Sequence, residues 1–325
     1  MKFIDLFSGI GGFRVALESL GQQCVFSADF DKYACDSYQK NFGDYPLIDL
    51  TQYDEKKVPD HDILCGGFPC QPFSIGGFRK GFEDARGTLF FDTLRILKEK
   101  KPKAFILENV RGLVSHDEGK TFKHMLNFLA AKINGEDNPN KYKYNLGYNV
   151  YWKFLNSKNF GLPQNRDRVF IVGFKDKNIK FTFPTGSSEK HKTLIDVLDK
   201  KPEIKKMSKL AQGHIQRHLK NHQHYNLLKD LDYLVAYEVR NCRVTFRFNN
   251  SAPCLTTKMG TGGNNVPYLV KQNRYITIRE FLKIQGFPSN FKLTDSYANS
   301  LKQIGNSVSV PVVRAVANEV IKVLT

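Results

Sequence analysis

The first half of the chain alternates short apolar runs with segments whose apolar residues recur at helical spacing. Residues 2–7 form an apolar run that ends at the glycine turn Gly9-Ile-Gly-Gly12, and residues 13–20 then show helical spacing. Strands that alternate with helices in this way are typical of an open, mostly parallel α/β sheet. The same patterns predict further strands ending at 30 and at 49–50 and spanning 62–65, 105–110, 148–156 and 168–174, further helices at 87–100, 120–133 and 311–324, and an exposed loop at 134–146.

After residue 175 the pattern changes to β and turn character with little alternation of helix and strand. Residues 240–248 alternate with a period of two, which puts Arg243 and Arg247 on one face of a predicted strand and Phe246 on the other. Such a strand could lay two arginines along a nucleic-acid groove, where the guanidinium fork reads guanine, or it could be an ordinary half-exposed strand.

Charge separates the two halves of the chain more strongly than hydropathy does. Of the 325 residues, the first 174 hold 24 Lys and Arg against 21 Asp and Glu, a net charge of +3, and the remainder hold 25 against 11, a net charge of +14. The second half is therefore the expected surface for a polyanion, with a lysine-rich solubilising surface as the alternative.

Composition also bears on location. No apolar run approaches the roughly 20 residues needed to span a bilayer, so we expect a soluble intracellular protein without a membrane partner. Six cysteines without a repeating CxxC spacing argue against a disulfide framework and a zinc cage, and predict free thiols in a reducing cytoplasm.

One cysteine has the surroundings of a nucleophile. Cys70 lies between prolines and glycines that exclude helix and sheet, with Arg79 and Arg86 further along the same stretch. Nearby cations can lower the pKa of a thiol or hold a polyanion. Cys65, in the preceding predicted strand, illustrates the common alternative, a packed and inert thiol.

Two further groups of polar residues fall where an α/β sheet binds ligands. The turn at 9–12 and Asp29, at the end of the next strand, suit a nucleotide-like cofactor, although a nicotinamide dehydrogenase would share both features. Glu108 lies near the end of the predicted strand 105–110, and Arg166 and Arg168 lie at the start of the strand predicted at 168–174. A carboxylate at the carboxyl edge of a central parallel strand is positioned for chemistry, and a solvated glutamate at a strand end is the alternative.

Several of these stretches together resemble one family. Phe68-Pro-Cys-Gln-Pro-Phe-Ser74 is similar to the catalytic loop of the DNA (cytosine-5) methyltransferases. Further matches follow in the family's order, at Asp5-Leu-Phe-Ser-Gly-Ile-Gly-Gly12, Glu108-Asn-Val110, Gln164-Asn-Arg-Asp-Arg168 and Gly305-Asn-Ser307. They span nearly the whole chain, which resembles the compact bacterial enzymes of restriction-modification systems.

The resemblance implies an α/β fold of the S-adenosylmethionine-dependent methyltransferase type, Rossmann-like with a mostly parallel sheet, and a smaller, mainly β or irregular target-recognition domain. Residues 1–185, completed by 303–325, would be the catalytic and cofactor-binding domain. Residues 186–302 would be the target-recognition domain and hinge.

The resemblance also assigns S-adenosylmethionine as the cofactor and no metal. Asp29 would hold the ribose, Phe30 would stack on adenine where many relatives carry tryptophan, and Asp49 would accept from the adenine amino group. The complete expected cofactor set is Phe7, Gly9, Gly12, Asp29, Phe30, Asp49, Leu50, Pro69, Leu89 and Asn306.

For catalysis, the resemblance implies attack by the Cys70 thiolate on C6 of a cytosine flipped out of the duplex. Glu108 would hydrogen-bond or protonate N3, Arg168 would neutralise charge at O2, and Arg166 would support Arg168 or contact a phosphate. Methylation of C5 would leave 5-methylcytosine and S-adenosylhomocysteine.

Contacts to double-stranded DNA are expected from the loop around Cys70 and from the basic second half. A polar glycine loop follows at Thr256-Thr-Lys-Met-Gly-Thr-Gly-Gly-Asn264, and the family usually has Thr-Leu just before it, where this chain has Cys254-Leu255. The expected DNA-contacting residues are Ser74, Arg79, Arg86, Arg240, Arg243, Arg247, Thr256, Thr257 and Lys258.

The histidines at 214, 218 and 222 recur every four residues, but without a HExxH-type carboxylate they do not predict a metal site. A cognate restriction endonuclease acting on the same site, a monomeric state and a bacterial cytoplasmic location complete the expectations.

Two alternatives remain at this point. The tRNA-methylating relatives use the same Cys, Glu and Arg geometry, although the Pro-Cys-Gln loop and the basic second half favour DNA. A sequence-specific DNA-binding or regulatory protein on an inactive methyltransferase scaffold is the other alternative, against which the intact Cys70, Glu108 and Arg168 count.

Overall fold

The structure is a computed structural model that describes residues 1–68, 89–186, 192–261, 265–294 and 296–325. The chain divides into two compact units. Unit 1 comprises Met1–Leu155, Asp167–Thr185 and Val312–Thr325, and unit 2 comprises Asn156–Arg166 and Gly186–Pro311.

Unit 1 is built on an eight-stranded sheet with the order β2-β1-β3-β4-β8-β7-β5-β6. The first four strands in this order run parallel, β8 pairs antiparallel with β4, and β5 pairs parallel with β7. The expected mostly parallel α/β sheet is thus confirmed. The strands are β1 (Lys2–Leu6), β2 (Gln23–Ala28), β3 (Ile63–Gly66), β4 (Ala104–Val110), β5 (Ala130–Ile133), β6 (Glu136–Asp137), β7 (Tyr148–Asn156) and β8 (Asp167–Phe174).

Helices cover this sheet, and its central strands are therefore almost wholly buried. In β4, every residue up to Asn109 is buried and only Val110 is exposed, as expected for a strand covered on both faces. The α-helices around it are α1 (Gly12–Glu18), α2 (Lys32–Phe42), α3 (Leu89–Lys100), α4 (Gly112–Ser115), α5 (Lys120–Leu129) and α11 (Val310–Leu324), and 3-10 turns lie at Glu55–Lys57 and His116–Gly119.

Two predicted elements of unit 1 are wrong. Residues 49–50 do not end a strand, because the Asp49 side chain accepts the Thr51 N–H at 2.9 Å and turns the backbone. The helix predicted at 120–133 stops at Leu129, and residues 130–133 form β5 beside β7. Pairing with a neighbouring strand overrides helical spacing there.

The stretch 134–146 is only partly the exposed loop that the pattern predicts. It contains the short strand β6, and two of its side chains, Asn138 and Leu146, are buried. Asn138 donates from Nδ2 to the Ala130 carbonyl at 3.1 Å, so this segment is tied to β5.

Unit 2 holds a four-stranded sheet of short strands, in the order β10-β9-β11-β12, and more helix than the sequence pattern predicts. Its strands are β9 (Val235–Tyr237), β10 (Thr245–Arg247), β11 (Tyr268–Leu269) and β12 (Arg274–Tyr275). Its helices are α6 (Leu194–Val197), α7 (Lys209–Lys220), α8 (Tyr225–Leu228), α9 (Ile278–Gln285) and α10 (Tyr297–Asn306), with 3-10 turns at Ser157–Phe160 and Thr257–Thr261.

The strand expected over 240–248 is limited to β10. The Arg240 N–H donates to the Arg243 carbonyl at 2.8 Å, which closes a turn just before the strand. Within β10, Phe246 packs against the apolar core of unit 2, but all three residues of the strand are half-buried.

The division into units differs from the expected domain boundaries at two places. Residues 156–166 and 303–311 cluster with unit 2, although the resemblance assigned both to the catalytic domain. The chain therefore passes from unit 2 to unit 1 between Arg166 and Asp167.

Candidate functional site

The turn after β1 brings a glycine against a carboxylate. Phe7 has a left-handed backbone, with φ of 54°, and redirects the chain away from the strand. The following Gly9 N–H then donates to Oδ2 of Asp29 at 2.7 Å, so the ends of β1 and β2 are fixed to each other. Gly12, buried, begins α1 directly after this turn.

Asp29 is half-buried and accepts a second backbone N–H, from Asp31 to Oδ1 at 2.8 Å. Burial raises the pKa of this carboxyl, and the two backbone hydrogen bonds oppose that rise. Each carboxylate oxygen retains acceptor capacity beyond one hydrogen bond. The group can therefore take the hydroxyls of a sugar while its orientation stays fixed.

The neighbouring predicted cofactor residues differ in exposure. The Phe30 ring is 67% exposed, which leaves its face open to a planar partner. Asp49 is exposed and also accepts the Thr51 hydroxyl at 2.7 Å, whereas Leu50 is buried and Leu89 half-buried. An oriented carboxylate, an exposed aromatic ring and a glycine turn together fit an adenosine-type group.

Glu108 and Arg168 face each other at the carboxyl edge of β4. The register pairs Val110 of β4 with Arg168 of β8, and Nε of Arg168 lies 3.1 Å from Oε1 of Glu108. Both side chains are largely buried, with 14% of Arg168 and 10% of Glu108 exposed. Poor screening by solvent strengthens such a pair relative to one on the surface.

Asn109 is a residue of this edge to which the sequence analysis gave no role. Its side chain is buried and donates from Nδ2 to the carbonyl of Phe68 at 2.8 Å. Gly66, two residues before Phe68 at the end of β3, pairs with Leu107 of β4. The backbone that leads toward Cys70 is thus held beside Glu108, and the Glu108-Asn109 motif was the available sequence signal.

Five predicted site residues lie outside the described residues: Pro69, Cys70, Ser74, Arg79 and Arg86. Cys65, which was predicted to be a packed and inert thiol, is fully buried in β3. Burial raises the pKa of its thiol well above the ordinary value. The described cysteines, Cys65 and four others, form no disulfide with one another.

Arg166 belongs to unit 2 and is 2% exposed. Its guanidinium donates to the carbonyls of Leu255, Gly305 and Ser307, at 2.6 Å, 3.3 Å and 2.7 Å. Asn306, a predicted cofactor residue and the last residue of α10, lies between two of these carbonyls in the sequence. Within unit 2, Arg166 thus binds backbone.

The predicted DNA-contacting arginines of unit 2 have three different environments. Arg240 is exposed in the turn before β10, and the exposed Arg243 forms a 3.1 Å ion pair with Glu238. Arg247 is half-buried in β10. The structure therefore places Arg240 and Arg243 off the strand that was expected to carry all three.

The other predicted DNA-contacting segment of unit 2, residues 256–258, lies at the start of a compact turn. Thr256 and Lys258 are exposed and Thr257 is half-buried at the start of a 3-10 turn. The Met259 N–H donates to the Thr256 carbonyl at 3.2 Å, which holds the turn closed.

The histidines of α7 and the segment after it contact protein groups. His218 lies with Nε2 3.0 Å from the Asn241 carbonyl, and the ring of His222 packs edge-on against Phe246. Among the described residues, no group of three or more His, Cys, Asp or Glu is arranged to hold a metal ion. None of the described helices combines the length and the apolar character that crossing a bilayer requires.

Comparison with known proteins extends over the whole chain. The sequence model described as "C-5 cytosine-specific DNA methylase" matches residues 1–322. The type II methyltransferase M.HaeII of Haemophilus aegyptius is 42% identical over 324 residues, which cover 99% of this chain and 93% of that protein. The type II methyltransferase M.NgoBI of Neisseria gonorrhoeae is 42% identical over 314 residues, which cover 97% and 91%.

Solved structures show the same fold at lower sequence identity. The Dnmt2 methyltransferase of S. pombe superimposes with a TM-score of 0.69 at 18% identity, covering 100% of this chain and 99% of that one. A DNMT2 variant of Spodoptera frugiperda gives a TM-score of 0.68 at 18% identity, covering 99% of both chains. The match to the family over 322 residues shows that this chain belongs to the C-5 cytosine-specific DNA methylases and is a DNA (cytosine-5) methyltransferase.

Proposed function

We propose that this enzyme methylates C5 of a cytosine flipped out of duplex DNA, at one short recognition sequence, through a covalent bond between Cys70 and C6. The observation that carries the proposal is the buried Glu108–Arg168 pair at the carboxyl edge of β4. Asn109 ties the same edge to Phe68, two residues before Cys70 in the sequence. A carboxyl group, a guanidinium and a thiol are the three groups that the reaction requires.

The chemistry explains each role. C5 of cytosine is a poor nucleophile, and addition of the Cys70 thiolate to C6 moves electron density onto C5. Glu108 would hydrogen-bond or protonate N3 and Arg168 would stabilise negative charge at O2, so the adduct forms at a lower barrier. After C5 gains the methyl group, its proton passes to water, and the bond between Cys70 and C6 breaks. This restores the double bond between C5 and C6 and the free thiolate, and a proton held on N3 returns to Glu108.

S-adenosylmethionine supplies, when bound, an activated methyl group on its sulfonium. We propose that Asp29 binds the ribose hydroxyls, Phe30 stacks on the adenine ring, and Asp49 accepts from the adenine amino group. The oriented carboxylate of Asp29 and the exposed ring of Phe30 support these assignments. The other proposed contacts are Phe7, Gly9, Gly12, Leu50, Pro69, Leu89 and Asn306.

Recognition of DNA is proposed for residues 186–302, with the basic net charge of the second half in support. Removing a base from the stack costs a few kcal/mol, which contacts to the rest of the duplex must offset. The individual contacts proposed are Ser74, Arg79, Arg86, Arg240, Arg243, Arg247, Thr256, Thr257 and Lys258.

The biological setting is proposed from the relatives. Because M.HaeII and M.NgoBI are named type II methyltransferases, we propose that this enzyme protects host DNA from a cognate restriction endonuclease that acts on the same site. We also propose a bacterial cytoplasmic location, where the DNA substrate is found, and action as a monomer.

The test combines labelled S-adenosylmethionine, a mixed-sequence DNA duplex and base-resolution mapping of 5-methylcytosine. Label confined to cytosines within one short sequence is the expected result. A duplex with 5-fluorocytosine at that position should trap the protein covalently, because fluorine at C5 cannot leave as the proton does.

Two cysteine variants make the test specific. Cys70→Ala should abolish trapping and lower turnover by about 10³-fold or more, whereas Cys65→Ala, which removes a buried strand thiol, should trap as the parent does. Trapping that survives in Cys70→Ala would disprove the covalent mechanism. Methylation of tRNA in preference to duplex DNA would disprove the proposed substrate.

A further inference from the structure

Three buried polar side chains in unit 2 connect two separate backbone segments. We name Gln164, Arg166 and Gln285 the buried bracket; they are 0%, 2% and 0% exposed. One segment is Leu255 with the following Thr256, and the other is the stretch 304–307 at the end of α10. The first carries proposed DNA contacts and the second carries Asn306, a proposed cofactor contact.

Arg166 spans both segments with one rigid group. Its Nη1 donates to the Leu255 carbonyl at 2.6 Å, and its Nη2 donates to the Ser307 carbonyl at 2.7 Å. Both nitrogens also lie 3.3 Å from the Gly305 carbonyl. Because the guanidinium is planar and rigid, a movement of one segment relative to the other would break or bend the hydrogen bonds that Arg166 makes to them.

The two glutamines repeat the connection. Gln164 accepts the Leu255 N–H at 2.9 Å and donates from Nε2 to Oε1 of Gln285, also at 2.9 Å. Gln285 in turn donates to the carbonyls of Ile304 and Ser307, at 2.9 Å and 3.2 Å. A second path thus joins the same two backbone segments.

The segments also touch directly. A Cβ added to Gly305 would lie 2.3 Å from the carbonyl carbon and oxygen of Thr256, so only glycine allows this approach. No side chain therefore separates the Thr256 backbone from the Gly305 backbone. The direct contact and the buried bracket together fix the two segments relative to each other.

We infer that the buried bracket couples DNA binding to cofactor binding, with Arg166 as the principal positioning residue. DNA that orders Thr256 and Thr257 also orders the backbone around Asn306, and bound cofactor has the reciprocal effect. This inference rests on the proposed function of both segments. It assigns Arg166 an action through other residues, without contact to the reacting base.

The experiment measures the dissociation constant of the methylated-site duplex with and without saturating S-adenosylhomocysteine. We expect the product to tighten DNA binding about tenfold in the parent, a typical coupling factor, and less than about twofold in Arg166→Lys, whose single ammonium cannot span three carbonyls. Affinity for S-adenosylhomocysteine should show the same factors when DNA is added, because coupling is reciprocal.

A matched control is Arg274→Lys, which alters an equally buried arginine of unit 2 that pairs with Glu280 and contacts neither segment. Its coupling factor should equal that of the parent, even if its stability falls. Where Arg166→Lys does not fold, Gln285→Met serves in its place, since it removes the donors to Ile304 and Ser307 while keeping the side chain's length.

The outcomes separate the inference from the proposed function. The coupling alone would be overturned if the parent methylates DNA but has a coupling factor near one. It would also be overturned if the bracket variants keep the parent's coupling factor. A parent that transfers no methyl group to DNA would overturn the proposed function and the coupling with it.

Discussion

Arg166 and Arg168 are separated by one residue, yet they belong to different regions of the molecule and to different environments. In unit 1, Arg168 approaches the Glu108 carboxylate at the edge of a sheet, and 14% of its side chain stays exposed. In unit 2, Arg166 is 2% exposed and donates to backbone carbonyls of two segments distant in sequence.

The difference shows two ways of holding a cation in position. The position of Arg168 follows from strand register, since β8 pairs residue by residue with β4 and brings it beside Glu108. The position of Arg166 follows from a buried polar network, in which each hydrogen bond of the Arg166 side chain reaches a residue 89 or more positions away. A substitution of Arg168 should change the rate of methyl transfer. A substitution of Arg166 should change the coupling between DNA binding and cofactor binding.

The largest effect is expected at Glu108. Glu108→Gln preserves size but cannot deliver a proton to N3, so single-turnover methyl transfer should fall by about 10³-fold. DNA and cofactor affinities should stay within about twofold, because the residue is proposed to act on the base only after it has flipped.

Glu280→Gln is the corresponding control, since Glu280 is also a buried glutamate paired with an arginine, but it lies in unit 2. It should lower stability while leaving the rate per folded molecule unchanged. A Glu108→Gln enzyme that turns over within tenfold of the parent would remove Glu108 from the mechanism.

A smaller loss is expected from Arg168→Lys. The shorter ammonium cannot keep the 3.1 Å contact with Glu108 and also reach O2 of the base, so turnover should fall by about 10²-fold. The coupling factor between DNA and S-adenosylhomocysteine should remain that of the parent. If Arg168→Lys instead lost coupling and kept turnover, the contrast between the two arginines would be reversed.

Packing around the buried bracket can be tested without touching an arginine. Gly305→Ala forces a Cβ to within 2.3 Å of the Thr256 carbonyl, so the free energy of unfolding should fall by about 1–3 kcal/mol in a urea titration.

Gly213→Ala is the matched control, because Gly213 lies within α7 and its added Cβ would have no heavy atom within 4 Å. This variant should gain about 0.5–1 kcal/mol from helix propensity. Equal effects of the two substitutions would contradict the close approach at Gly305.

The smallest effect concerns Asp5 of β1, whose side chain is fully buried. Burial raises the pKa of Asp5 well above its ordinary value, so the folded protein keeps a proton that the unfolded chain releases above about pH 4. The contribution of Asp5 therefore lowers stability as pH rises through this window, up to the raised pKa.

Asp5→Asn cannot ionise and should lose this contribution. Compared with the parent in urea titrations between about pH 5 and about pH 8, the variant's relative stability should increase with pH. A difference between variant and parent that does not change with pH would show that Asp5 stays in one protonation state in both folded and unfolded chains.

Much of unit 1 could be predicted from the sequence. The apolar runs that became β1, β3, β4 and β8 are mostly buried on both faces, as is the first half of β7, so their pattern is strong and local. The turn beside Asp29 and the position of Glu108 at a strand end followed from the same pattern, because parallel strands place their carboxyl ends at one edge.

The wrong elements have causes that the spacing of hydrophobic residues does not reveal. Asp49 turned the chain through its own side chain, and residues 130–133 left a helical pattern to pair with β7. In unit 2, the turn at Arg240 shortened a strand whose alternation looked continuous.

Residue types and their spacing were enough to identify the buried strands β1, β3, β4, β7 and β8 of unit 1, the motifs that mark the family, and the basic charge of the second half. These features depend on residue type and spacing over short stretches. Contacts between distant residues account for the rest: Arg168 faces Glu108, Asn109 donates to Phe68, and Arg166 is buried against backbone carbonyls. Such contacts join residues that can lie more than a hundred positions apart, and the sequence contains no local signal for a hydrogen bond across that distance.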